Sequence, residues 1–110
     1  MPYDEQLAAR VRAVLGDRSD VAERSMFGGI AFMVGGHMCC GVNGSNLMLR
    51  LGEAQAAAAL EHPQTRPMDF TGRPMKGFVY VSPEGTRSQD DLRAWIERAA
   101  EHVGTLPAKG

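Results

Sequence analysis

No apolar run in this chain approaches the roughly 20 residues that a membrane-spanning helix needs. Its start, MPYDEQLAAR, has acids where a secretory signal requires basic residues and then an apolar stretch, so a cytoplasmic location and no membrane contact are expected. An excess of one charge is missing too. Twelve Lys and Arg stand against 13 Asp and Glu, giving a formal net charge of −1 and a pI near 6.3. Bulk attraction to nucleic acid or anionic lipid does not follow, and direct nucleic-acid binding is not expected. Cysteine is confined to the adjacent pair Cys39 and Cys40. Successive strand residues point to opposite faces, so a bond between them is strained and reduced thiols are expected. Repeats and low-complexity segments are absent. At 110 residues, 44% of them hydrophobic, the chain has the size and composition of one domain over residues 1–110. Order is expected from about residue 3 to 103, with a flexible tail over 104–110.

Several chemistries fall by missing parts. Gly28-Gly29 is followed by neither a Gly-Lys-Ser/Thr nor a third glycine, which removes a phosphate loop and leaves a bend before Ile30. No Gly-x-Ser-x-Gly occurs, so no serine-hydrolase case arises. His37 and Cys39 are two ligands where zinc needs three or four, so no metal and no other cofactor is expected.

The stretch Met26 to Leu51, MFGGIAFMVGGHMCCGVNGSNLMLRL, reads as a β-meander punctuated by Gly35-Gly36 and Asn43-Gly44-Ser45-Asn46. Turn lengths then fix register. They set Met33 opposite Met38, Phe32 opposite Cys39, Ala31 opposite Cys40, and Cys40 opposite Leu49. One face collects Ala31, Met33, Met38, Cys40, Val42, Leu47, Leu49 and Leu51 as the expected core. The other collects Ile30, Phe32, Val34, His37, Cys39, Gly41, Met48 and Arg50. That mixed face calls for a cover: a helix, a second subunit or a ligand. Ile30, Phe32, Val34 and Met48 are its interface candidates, and a homodimer or another protein partner is the expectation they support.

Around the meander, Leu7, Ala8, Val11, Val14 and Leu15 make a helical stripe over Tyr3 to Leu15. Val21 to Met26 reads as a short strand and Glu53 to Leu60 as an Ala-rich helix stopped by His62-Pro63. In Gln64 to Lys76 two Arg-Pro-Met triplets exclude a helix and a central strand, leaving brief edge pairing at Met68 to Phe70. Gly77 to Ser82 is a strand, and Ser88 caps a closing helix with Leu92, Trp95, Ile96, Ala99 and Val103 on its buried stripe. Helix, meander, helix, one or two further strands, helix: the class is α+β with an antiparallel sheet.

Met26-Phe27-Gly28-Gly29 after a short strand, the glycine-rich meander, the Arg66-Pro67-Met68-Asp69-Phe70 segment and the closing helix with Trp95 resemble the TfoX N-terminal domain family, over about Tyr3 to Val103. That family is similar to bacterial competence regulators of the TfoX/Sxy type. The resemblance implies a two-layer, secretion-chaperone-like α+β arrangement in a stand-alone N-terminal domain. It also implies a regulatory role through a protein partner, linked to transcription, and supplies no catalytic motif.

Two functional readings stay open. The first is a non-enzymatic interaction module working through the mixed face. The second is a small-molecule or anion binder, or an enzyme. It would use the basic segment of Arg66, Arg73 and Lys76 with Phe70 as a stacking surface, or a Cys39 thiol activated by a nearby cation such as Arg50. Plainer accounts compete with the second: arginines in a solvated loop, and Cys39 as a small half-buried hydrophobe.

Overall fold

Asp4 caps the first helix, its carboxylate accepting from the N–H groups of Gln6 and Leu7 at 2.9 and 3.1 Å. The helix, α1 (Glu5–Leu15), buries Leu7, Ala8, Val11 and Leu15 along one stripe. This computed structural model describes residues 3–16, 20–26, 28–70 and 73–106, except the side chains of residues 26, 69, 70 and 73–75. Strands β1 (Val21–Met26), β2 (Gly29–Val34), β3 (His37–Asn43) and β4 (Asn46–Arg50) form the meander. Helix α2 (Glu53–Ala59) leads to the hairpin β5 (Thr65–Phe70) and β6 (Arg73–Val81). A 3-10 turn, Pro83–Thr86, precedes α3 (Gln89–Val103), where the Asp91 N–H donates to the Ser88 hydroxyl. All six strands join one antiparallel sheet in the order β1-β2-β3-β4-β6-β5. The fold is α+β, as the element order predicts.

The three helices lie over one face of this sheet. Leu7 and Val11 of α1, Ala56 and Ala59 of α2, and Leu92, Trp95 and Ile96 of α3 share one buried cluster with the strands. Arg10 fastens α1 to the start of α3: its guanidinium donates to the Thr86 carbonyl at 2.6 Å and to the Gln89 side-chain oxygen at 3.1 Å. Among the described residues no helix is long and apolar enough to cross a membrane. Of the tail expected to be flexible, Thr105 and Leu106 hydrogen-bond back to His102 and Val103, and residues 107–110 lie outside the described residues.

Gly35 and Gly36 both take positive φ, 59° and 86°, making the two-residue turn whose twist suits a hairpin. The register starts as expected, with Val34 opposite His37 and Met33 opposite Met38. It then slips: Phe32 faces Cys40, Ala31 faces Gly41 and Ile30 faces Val42, leaving Cys39 as the extra residue of a β-bulge. The second hairpin keeps the expected register, Cys40 opposite Leu49 and Val42 opposite Leu47.

The bulge corrects the face assignment. Two successive residues, Cys39 and Cys40, both join the helix-covered cluster, so everything on the far side of the slip changes face. Ile30, Phe32 and Val34 are in the covered core rather than on the second face, with Phe32 fully buried. Ala31, Met33 and Met38, expected in the core, gather with Met48 and Met68 on the other side.

The hairpin is a second departure. Pairing runs through both prolines, from Thr65 opposite Val81 to Phe70 opposite Arg73. Pro67 is tolerated because β5 is an edge strand. Pro74 is tolerated because β4 meets β6 only between Phe78 and Val81, so at Pro74 the strand has β5 as its sole partner in the sheet.

Candidate functional site

The face turned away from the helices has an unusual lining. Its buried residues are Ala31, Met38, Met48 and Met68, packed by Met33, Phe78 and Tyr80, with no helix residue in the cluster. Met48 and Met68 are nevertheless 0% and 1% exposed. Flexible thioethers fold over the small residues beside them. Gly41 shows how closely: a Cβ there would meet the Met48 methyl at 2.7 Å and the Ile30 carbonyl at 2.5 Å. Gly41 is thus the gap into which Met48 lies.

Two arginines flank this floor, each placed by strand pairing over an aromatic ring. Arg50 pairs with Phe78 across β4 and β6, its guanidinium carbon 5.7 Å from the ring centre. Arg66 pairs with Tyr80 across β5 and β6, at 5.2 Å. Such contacts contribute about 0.5–1 kcal/mol at exposed sites. Their larger effect is positional, since each guanidinium is kept near its ring while its N–H groups remain available to acceptors. Arg24, opposite Ala31, stands on the same face at β1. Among the described side chains this face carries no carboxylate, whereas α3 alone has Asp90, Asp91, Glu97 and Glu101.

At one corner the face runs into a hollow of about 210 Å³ between α2, β5 and β6, lined by Ala57, Leu60, Pro67, Met68 and Phe78 with Lys76. Leu60, 39% exposed, is the only large apolar side chain among the described residues to stand that open. Glu53 is the one acid in the lining.

The structure therefore brings Arg50, Arg66 and Lys76 to one side of the molecule. The backbones of Phe70 and Arg73 pair at the tip of the same hairpin, and their side chains lie outside the described residues. Of the four interface candidates only Met48 is on this face. The expected grouping of His37, Cys39 and Arg50 does not form, because the bulge turns Cys39 to the covered side, where it is fully buried. Its neighbour Cys40 is held well above the ordinary thiol range, by the hydrogen bond with Cys39 and then by burial. Phe78, Tyr80 and Leu60 were missed as site residues. The alternation in GFVYVS carries the signal for the first two, since Val79 and Val81 share the covered face and the aromatics take the other.

A larger hollow, about 460 Å³, lies on the helix side between the 3-10 turn and α3, lined by His62, Gln64, Glu84, Asp91, Trp95 and Arg98. Arg98 covers the Trp95 ring at 4.9 Å and His62 meets its edge at 5.4 Å. Both charge signs line it, so it selects no one ligand chemistry. Among the described residues no three His, Cys, Asp or Glu side chains group as metal ligands.

Fold and face together define a small α+β domain with one helix-covered and one open sheet surface. A family model, the TfoX N-terminal domain, matches residues 13–103, and the chain belongs to that family. No curated protein and no solved structure matches it.

Proposed function

We propose that this domain is a cytoplasmic interaction module that acts by binding rather than by catalysis, contributing to transcriptional control of the competence type through a protein partner. Family membership supports the regulatory part. One observation supports the binding part: an open sheet face with a thioether floor, aromatic rings and arginines stacked on them, and no acid among its described side chains. Adaptable methionines and rigid Arg-aromatic units are the residue types that interfaces favour. A two-fold homodimer through this face would set Arg50 and Arg66 against their own copies, so a different protein is the better partner.

The test is a pull-down from cytoplasmic extract with the whole chain as bait, comparing the parent with an Arg50→Glu, Arg66→Glu double variant. The expected result is a partner retained by the parent and lost by the variant, with both still folded and unfolding cooperatively. An identical set of retained proteins would remove this face from the function.

A further inference from the structure

We infer that the partner presents an acidic segment carrying a large apolar side chain, with the apolar group seated in the hollow beside Leu60 and carboxylates on Arg66, Arg50 and Lys76. This rests on the open face being the working surface, and goes beyond it by naming what the surface reads.

The geometry of the cations is the first argument. Arg50 and Arg66 stand on strands separated by β6 and are offset by two residues, since they pair with Phe78 and Tyr80. Strand spacing and rise put their backbones roughly 12 Å apart. Each guanidinium is held over its own ring, so the two offer separate charged points along β6 rather than a single fork. A segment with charges spaced along it engages both. Planar N–H edges suit carboxylates, which accept them in parallel pairs.

The hollow is the second argument. Its wall of Ala57, Leu60, Pro67, Met68 and Phe78 is apolar, and Phe78 and Met68 make it continuous with the arginine-flanked floor. It has room for one large side chain. Cations bordering an apolar seat match alternating acidic and apolar residues.

Nucleic acid fits less well. Single-strand binding uses ring faces as platforms for bases, and here Arg50 and Arg66 already occupy the faces of Phe78 and Tyr80. A second copy of the chain has acids to offer on α3, but a helix laid on an opposite face is a head-to-tail contact that does not close into a dimer.

The experiment is fluorescence anisotropy of the whole chain with a labelled dodecapeptide alternating Glu with Leu and Phe. The comparison probes are its Gln-for-Glu and Ser-for-Leu/Phe versions and a thymidine dodecamer. The acidic–apolar peptide is expected to bind best and to weaken as salt rises from about 0.05 to about 0.3 M. Each peptide control and the exposed-site variant Arg66→Glu should bind roughly tenfold more weakly. Ala57→Phe, at another exposed position, should fill the seat and reduce binding without disturbing the helix.

Equal binding of the Gln peptide, tighter binding of the oligonucleotide, or indifference to both variants would overturn the inference. So would an absence of binding at about 1 mM protein, or sedimentation showing concentration-dependent chains that Arg66→Glu disperses. If the peptide fails while the pull-down partner still requires Arg50 and Arg66, the ligand class is wrong and the working face stands. If the partner is also indifferent to them, both fall.

Discussion

The two faces of the one sheet hide apolar surface by different means. On the covered side the side chains are mostly aliphatic, with Phe32 among them, and three helices close over them. On the open side no helix residue takes part, and the cover comes from the sheet's own long side chains: Met48 across Gly41, arginines across Phe78 and Tyr80. The first arrangement fixes a unique packing. The second closes its apolar floor with thioethers that can repack, beside arginines held over their rings.

Mutations should separate the two. The largest loss is expected for Phe32→Ala, a fully buried ring on the covered side. Denaturant unfolding should show about 3–5 kcal/mol less stability. Met48→Ala on the open side, although equally buried, should cost about 2–3 kcal/mol, because neighbouring thioethers can settle into the space. A loss equal to that of Phe32→Ala would mean the open face is as rigid as the covered one. Gly41→Ala should cost about 1–3 kcal/mol by forcing the Ile30 carbonyl and Met48 methyl apart. Part of that loss should disappear when Met48→Ala is already present.

Acid titration gives a smaller effect. Arg12 joins α1 to β1 through Glu23 at 2.8 Å, both side chains well exposed, and this hydrogen-bonded pairing holds the Glu23 carboxyl below its usual value. The folded state thus favours the ionised form. The contribution is present above the ordinary carboxylate range and is lost as pH falls through the lowered value. At about 0.5 kcal/mol it should show as a slightly flatter acid limb in Arg12→Met. Of similar size, Arg66→Ala should lower unfolding stability by about 0.5 kcal/mol, the low end for an exposed cation on a ring, while removing partner retention.

Much of this architecture was readable from residue order. The stripes of α1 and α3, the Ser88 cap, both turns and the second hairpin's register follow from local chemistry, which turn length and periodicity report. The bulge does not, because turn length sets where a register begins and says nothing of where it slips. That one extra residue at Cys39 moved Ile30, Phe32 and Val34 into the core. The adjacent Cys39-Cys40 pair was its only trace, two small apolar residues in a row where alternation predicts a change of face. The prolines did bar a helix and a strand paired on both sides, but the length of the edge hairpin was not legible for a related reason. Their rule concerns strands paired on both sides, and which strands lie at an edge is a property of the whole sheet. Arg50, Arg66 and Lys76 were legible as cations, but the rings under two of them became visible only once β6 had neighbours.

The fastening of Arg10 onto Thr86 and Gln89 joins positions 76 and 79 residues apart. During synthesis α1 is made before α3, and the part of its stripe that packs on α3 has no partner until that helix follows. At about 5–20 residues per second the delay is roughly 4–16 s. A larger side chain at Ala8 would deepen the stripe that waits and, at a position with 0% exposure, would also overpack the finished core at a cost of about 1–3 kcal/mol.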